Sequence, residues 1–396
     1  MFLYSEKIYT PQGFVKGYIK IVDGKIHGIY EDTEGKFIDY KDKVIVPGFI
    51  DIHIHGWATG SFWYEGTEKS LENMSKELVK IGVTSYLATT GTDALDYIKS
   101  HLVSGKAAID NWKPEKGSQV LGFHLEGPFI NKEFKGMQKE EHCINPSIEI
   151  LEDFFQSGGK ENVKLITIAP ELEGSLEFIK YVNKEGIQVS VGHSAAEFED
   201  IRDLKDYGLG GFTHTFSGMR GFHHRRLGVA GAAMYFDDMY AEFAKQTGKT
   251  VSHEAFKIMF KLKGPEGILL SSDSTGLAHV KEPFHHYIRK CTFRPDGEYV
   301  NLVYDEGISE RINKYDYEKV KNLELSYLDS VKNIINNVNA SIGDIAKIAS
   351  ENPAKYIGVY DKKGSIEVGK DADLLVIDSD WNLQDVFLQG IKQELD

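Results

Sequence analysis

The chain has 396 residues, 41% of them hydrophobic and 27% charged, with a formal net charge of −14. That balance suits a large globular core and excludes nucleic acid or an anionic membrane as the expected main partner, without forbidding an anionic small molecule held by a local field. Cys143 and Cys291 stand in no motif, no stretch approaches the length of a membrane span, and the start lacks the basic and apolar regions of a secretory signal, so the expected setting is the cytoplasm.

The N-terminal part reads as short strands. Phe14–Ile21, Lys25–Tyr30 and Val44–Val46 alternate or cluster apolar residues, and Asp23-Gly24 is a hairpin turn signal. The stretch Ile45–His55 reads as one strand ending in two histidines. Beyond it, strand-like runs at Val83–Thr90, Val120–Leu125, Val163–Ala169, Ile187–Gly192, Gly211–Thr215 and Ile268–Ser272 alternate with helical patterns such as Ser70–Ile81, Ser175–Glu185 and Phe198–Tyr207. Ala230–Phe236 reads as a further strand. About eight strands in β-α alternation is the count of a (β/α)8 barrel. After the last of them, Arg294-Pro295-Asp296-Gly297-Glu298 predicts a β-hairpin insertion, and two helices are expected near Leu325–Asn337 and Ile342–Ile357. Gly364–Asp371 then punctuates the chain, and Ala372–Asp378 reads as a buried strand. Strand-rich ends around an α/β middle predict a small β domain built from both termini, at 1–46 and 359–396, around a barrel at 47–358.

The polar residues fall at one end of this plan. His53 and His55 close the first barrel strand, and in a strand residues two apart share a face. Glu126 closes the third strand, His193 the fifth, His214 the sixth and Asp273 the last. In a closed parallel barrel these ends open on one mouth, where active sites sit. Singly, each histidine could be a satisfied core residue, and Glu126 or Asp273 a cap. Six ligand-type residues at the ends of five strands are not accounted for that way. His124 shares a strand with Glu126 and is expected to support the site or pack rather than to ligate. Histidine and carboxylate without cysteine favour a divalent Zn, Fe, Mn or Co ion, and six ligands suffice for two ions sharing a carboxylate. Asp273 is suited to move the proton from water to a departing amine, which makes hydrolysis of an amide or related C–N bond the expected reaction.

These residues also carry a resemblance. Pro47-Gly48-Phe49-Ile50-Asp51-Ile52-His53-Ile54-His55-Gly56 is similar to the opening motif of the amidohydrolase superfamily. His124-Leu125-Glu126-Gly127-Pro128-Phe129 resembles the N-acetylglucosamine-6-phosphate deacetylase family, as do Val191-Gly192-His193-Ser194, Thr213-His214, Ser272-Asp273-Ser274-Thr275, Asn352-Pro353-Ala354 and Gly369-Lys370-Asp371-Ala372-Asp373. The resemblance spans nearly the whole chain. It implies an α/β fold, a distorted (β/α)8 TIM barrel with a small β-sandwich domain, and a homodimer that removes acetate from a phosphorylated N-acetylhexosamine. It also implies that Glu126, His193 and His214 hold the main metal, that His53, His55 and the shared Glu126 hold a second touched by Asp273, and that Gln138 and Arg225 contact substrate.

The chain departs from the family pattern around the sugar. It has His214-Thr215-Phe216-Ser217-Gly218-Met219 in place of His-x-x-Asn-Ala-Met, and Arg225-Arg226-Leu227-Gly228 in place of Arg-Glu-Pro-Gly. Thr247-Gly248-Lys249-Thr250 stands where the family has Asp-Gly-x-His, and the usual loop near Leu323–Tyr327 is absent. Ser217, Gly218, Lys249 and Thr250 become the candidates for lining the pocket. Three readings stay open: a deacetylase of an N-acetyl sugar phosphate, an amidohydrolase of another N-acyl compound, and a binding protein that kept the fold.

Overall fold

In the computed structural model, which describes residues 1–245 and 248–395, eight parallel strands lie side by side in chain order. They are β1 (Phe49–Ile54), β2 (Val83–Thr90), β3 (Gln119–Glu126), β4 (Val163–Ile168), β5 (Gln188–Val191), β6 (Leu209–Phe212), β7 (Tyr240–Ala244) and β8 (Ile268–Ser271). Helices link them, as β-α alternation demands. Two of the links show a local reason to be helical: Thr67 caps Glu68–Leu78 by accepting the Ser70 N–H, and Ser252 caps His253–Lys263 through Ala255. The ring closes between β8 and β1 by specific bonds rather than a regular ladder. The Ser272 N–H donates to Asp51 Oδ1 (3.1 Å), and the Asp273 N–H donates to the His53 carbonyl (2.7 Å). Ile50, Ile52, Leu87, Leu165 and Leu269 form one apolar cluster with Ala354, Tyr356 and Ile357 of the last helical segment.

Two expectations fail. The Ala230–Phe236 stretch is not a strand: Gly228–Tyr235 is an α-helix, and the seventh strand is Tyr240–Ala244. The run is rich in Ala, the best helix former, and lacks the β-branched residues that favour a pleated surface. Nor is Ile45–His55 one strand. Val44–Pro47 pairs with Leu374–Ile377 in the terminal sheet, and the chain then enters the barrel at Phe49. Gly48 makes that switch possible, since a Cβ there would lie 2.2 Å from Thr84 Oγ1.

Both termini build a separate mixed sheet of eight strands with its own core of Leu3, Ile8, Ile19, Ile45, Leu374, Val376 and Phe387. The expected hairpin insertion is a four-stranded antiparallel sheet between Phe284 and Asn313, turning at Asp296–Tyr299. The two helices after it run Tyr327–Val338 and, broken by a π-turn, Ile342–Tyr356. No described helix is long and apolar enough to cross a membrane.

The terminal sheet is seated by a buried ionic cluster. Lys363 Nζ lies 3.0 Å from Asp371 and 2.5 Å from Asp373, with all three side chains at most 7% exposed, and Lys25 adds a second cation to Asp371 at 2.5 Å. Removing one partner of a buried pair strands the other's charge. Lys363→Met is therefore expected to cost about 3–5 kcal/mol, read as a lower urea midpoint. An unchanged midpoint would show that the cluster adds nothing to stability.

Candidate active site

Six of the predicted residues converge where the strand ends open. Glu126, at the end of β3, is the hub. Its Oε1 lies 3.1 Å from His193 Nε2, 3.0 Å from His214 Nε2 and 3.3 Å from His53 Nε2, and its Oε2 lies 3.1 Å from His55 Nε2. Asp273 Oδ1 is 3.4 Å from both His53 and His55 Nε2. Two overlapping groups suited to a metal ion result, His53–His55–Glu126 and Glu126–His193–His214, all buried. Asp273, 31% exposed, is the one carboxylate of the cluster that opens toward solvent.

The local backbone explains the convergence. His193, His214 and Asp273 each follow a strand end and each hold a left-handed conformation, with φ of 48°, 34° and 46°. This costs backbone energy, of order 1–3 kcal/mol at each such residue, and persists only where the surroundings demand it. Here the turn carries the side chain back over the barrel mouth. Gly218 is part of the same demand, because a Cβ there would lie 3.1 Å from His193 Nδ1 and 3.3 Å from His214 Cε1.

Each of the four imidazoles has its Nδ1 against an acceptor. His53 Nδ1 meets Glu242 Oε1 (2.8 Å), His55 the Thr89 carbonyl (3.2 Å), His193 the Phe134 carbonyl (2.7 Å) and His214 the Ser217 carbonyl (3.0 Å). In that tautomer Nδ1–H donates outward and every Nε2 presents a lone pair to the cluster. His193 and His214 Nε2 are then 3.0 Å apart, and His53 and His55 Nε2 3.3 Å apart, each beside a carboxylate with no proton to share. Such a set of acceptors fits a divalent cation and is repulsive without a positive charge. The field agrees. Burial alone would push the Glu126 carboxyl up, but His53 and His193 reverse this and hold it well below the usual carboxylate range. Burial presses His53 down, yet Glu126, Glu242 and Asp273 outweigh it and raise its pKa well above the ordinary imidazole value.

His124 belongs to neither group. Its Nε2 bonds Thr167 Oγ1 (2.8 Å), its ring packs edge-on against His53 at 4.6 Å, and burial drives its pKa far below the usual value, so it stays neutral. Gln138 donates its Nε2–H to Glu126 Oε2 (2.7 Å) and accepts the Thr92 N–H (2.6 Å), so its amide steadies the hub. Ser217 and Thr250 line a cavity of about 50 Å3 with His214, Lys245 and Asp273. Lys249 is exposed beside it, and Arg225 is exposed on the turn from His223 to Arg226, with no described hydrogen bond to the cluster. Thr247 lies outside the described residues. A larger cavity of about 150 Å3, lined by Trp63, Tyr97, Lys139 and Lys281 among others, flanks the other side, where the Trp63 ring packs 4.9 Å from His55.

Sequence reasoning missed several participants. Glu242 takes both His53 Nδ1–H and the Ser271 hydroxyl (2.8 Å each). Its signal was a single acid in the apolar run Tyr-Ala-Glu-Phe-Ala, hidden because the seventh strand was sought elsewhere. Asp51 joins β1 to β8 and is pushed up to about 7 by burial. Buried Glu324 pairs with partly buried Lys245 at 2.9 Å beside Asp273's loop, and nothing in local sequence announces it.

Comparison with known proteins gives the chain's family. The amidohydrolase family model matches residues 44–392. N-acetylglucosamine-6-phosphate deacetylase of Bacillus subtilis (strain 168) is 33% identical over 387 residues, covering 94% of this chain and 92% of that protein. N-acetylgalactosamine-6-phosphate deacetylase of Escherichia coli O157:H7 is 27% identical, covering 98% of each. The crystal structure of N-acetylglucosamine-6-phosphate deacetylase from Thermotoga maritima superposes with a TM-score of 0.79 at 29% identity, covering 100% of this chain and 99% of that one. With its strand-end histidines gathered on one glutamate, the chain is a hydrolase that belongs to the amidohydrolase family and, within it, to the N-acetylglucosamine-6-phosphate deacetylases.

Proposed function

We propose that this chain hydrolyses the acetamide of N-acetylglucosamine 6-phosphate to glucosamine 6-phosphate and acetate. The observation that carries the reading is the Glu126 hub, with Asp273 poised 3.4 Å from two of its imidazoles and partly open to the cavity. Glu126, His193 and His214 would hold the essential ion, and His53 and His55, sharing Glu126, a second. When bound, such divalent ions polarise the acetyl carbonyl and make the attacking water more acidic.

The chain's own residues do the rest. Asp273 takes the proton of the attacking water and returns it to the sugar nitrogen as the C–N bond breaks, so water, amide and products balance as amine plus acetate. Glu242 and the carbonyls of Thr89, Phe134 and Ser217 keep the four imidazoles in the tautomer that faces inward. Gln138 fixes Glu126 against rotation. We assign Ser217, Gly218, Lys249 and Thr250 to the sugar side of the pocket. Arg225, exposed on its turn, suits the phosphate of a substrate in the partner site of a homodimer, because a guanidinium grips phosphate bidentately. The 27% identical N-acetylgalactosamine-6-phosphate deacetylase makes the galacto isomer the second reading.

The substrate test is acetate release from the gluco, galacto and manno isomers of the 6-phosphate and from unphosphorylated N-acetylglucosamine. Turnover is expected with the gluco phosphate foremost; silence on all four, with metal bound, would remove the sugar assignment and leave an amidohydrolase of another N-acyl compound. Asp273→Asn should lower kcat by about 10^2 to 10^4-fold while the protein stays folded. Retention of full turnover would show that Asp273 carries no proton. Dialysis against a chelator should abolish activity, and adding back Zn, Co, Mn or Fe in turn should restore it and identify the preferred ion. His193→Ala should then fail to recover activity or metal content, measured by mass spectrometry of the metal. Sedimentation at micromolar concentration reads the dimer, and Arg225→Met is expected to raise KM for the phosphorylated sugar alone.

A further inference from the structure

The end of β7 and the segment after the hairpin insertion meet at one contact, between Lys245 and Glu324. Lys245 follows β7 with φ of 39°, and its Nζ lies 2.9 Å from Glu324 Oε1. The Glu324 side chain is 5% exposed, and four further donors reach it: Thr275 N–H (2.8 Å) and Thr275 Oγ1–H (3.2 Å) at Oε1, and Gly276 N–H (2.7 Å) and Leu277 N–H (3.1 Å) at Oε2. One carboxylate thus holds three consecutive amides of the loop that leaves Asp273.

That loop is also a brace for the first histidine pair. The Ser274 carbonyl accepts the His55 and Gly56 N–H groups (2.8 and 2.9 Å), and the Thr275 carbonyl accepts Ser61 Oγ–H (2.9 Å). The two backbones lie so close that a Cβ at Gly56 would come within 2.5 Å of the Thr275 carbonyl oxygen. The Asp273 N–H is itself bonded to the His53 carbonyl. A shift of residues 275–277 therefore moves Asp273 against His53 and His55, and not merely the loop surface. Lys245 closes the arrangement from the far side, since it lines the same small cavity as His214 and Asp273.

We propose that Glu324, locked by Lys245, is a positioning residue for Asp273: it sets the path of residues 274–277 and with it the distance from the Asp273 carboxylate to His53 and His55. This rests on the reading of Asp273 as proton carrier. Replacing Glu324 with Gln turns an NH2 toward donors on one side of the group and removes the charge that Lys245 meets, so the loop has to give.

The test uses the full chain and the variants Glu324→Gln, Lys245→Met, their combination and Asp273→Asn. The readouts are acetate release from N-acetylglucosamine 6-phosphate and the visible absorption of the cobalt(II)-loaded protein. Each single change is expected to lower kcat by about 10- to 100-fold with KM held within about threefold, because misplacement of a reacting group by about 1 Å costs rate rather than binding. The double variant should be no worse than the poorer single, as expected of residues acting as one device. Glu324→Gln should also shift the cobalt band. A kcat within about threefold of the parent for Glu324→Gln, or losses that multiply in the double variant, overturns the proposal. Full activity in Asp273→Asn would instead remove the proton-carrier reading beneath it. If the parent releases no acetate, the cobalt spectrum decides: an unchanged band in Glu324→Gln overturns the proposal, and a shifted band sustains it. Should Glu324→Gln fail to fold, Lys245→Met carries the same comparison.

Discussion

Four imidazole nitrogens crowd within 3.0–3.3 Å of the Glu126 carboxylate, and in the tautomer that their outward bonds select every one of them is an acceptor. In water such a set would disperse. In a buried site, removing it from solvent costs several kcal/mol per charge, and the lone pairs repel one another. The arrangement is sustained from outside. Glu242, Gln138 and three backbone carbonyls pin the rings and the carboxylate, and left-handed turns at His193 and His214 aim two of the rings inward. The rest of the barrel mouth follows from this constraint. It explains why Gly218 has no room for a side chain and why Gln138 is spent on Glu126. It also explains why the ring closes at β8 through bonds to Asp51 and His53 rather than through a regular ladder.

The parts of this site visible in the sequence are those whose meaning is local. His53 and His55 sit one residue apart, Glu126 ends an apolar run before Gly127-Pro128, and His193, His214 and Asp273 each interrupt a strand end with a ligand-type side chain. Periodicity placed seven of the eight barrel strands, because a fully buried parallel strand is a short apolar run bounded by turn residues. The seventh was misplaced for a physical reason. Gly228–Tyr235 and Tyr240–Ala244 are both short and apolar, and length alone does not separate a buried helix turn from a buried strand. Ala content decides for the helix, and Glu242, on the true strand, is the residue that ties it to His53.

What stayed hidden depends on pairs distant in sequence. Glu242 matters through His53, 189 residues away, and Glu324 through Lys245, 79 residues away. Neither carboxylate lies in a motif, and each would pass for a solvated charge. Burial reverses that judgement. Among the described residues each has both a desolvated position and a specific donor, and a buried charge is retained only where it is paired or hydrogen-bonded.

The same contrast separates chemistry from recognition. The hub is assembled from strand-end residues whose surrounding motifs resemble those of the family. The loops beside it carry Ser217, Gly218, Thr250 and Glu324, where the chain departs from the pattern that the resemblance implies. The two sets of residues are held differently. The hub is fixed by strand ends and their outward hydrogen bonds, whereas the walls sit on the loops that follow β6, β7 and β8. A substitution in those loops that spares the Ser217 carbonyl, Gly218 and the Glu324 clasp alters what fits beside Asp273 without disturbing Glu126. Through that clasp a loop residue reaches the backbone that carries Asp273, much as Gln138 and the carbonyls of Phe134 and Ser217 reach Glu126, His193 and His214 from other loops.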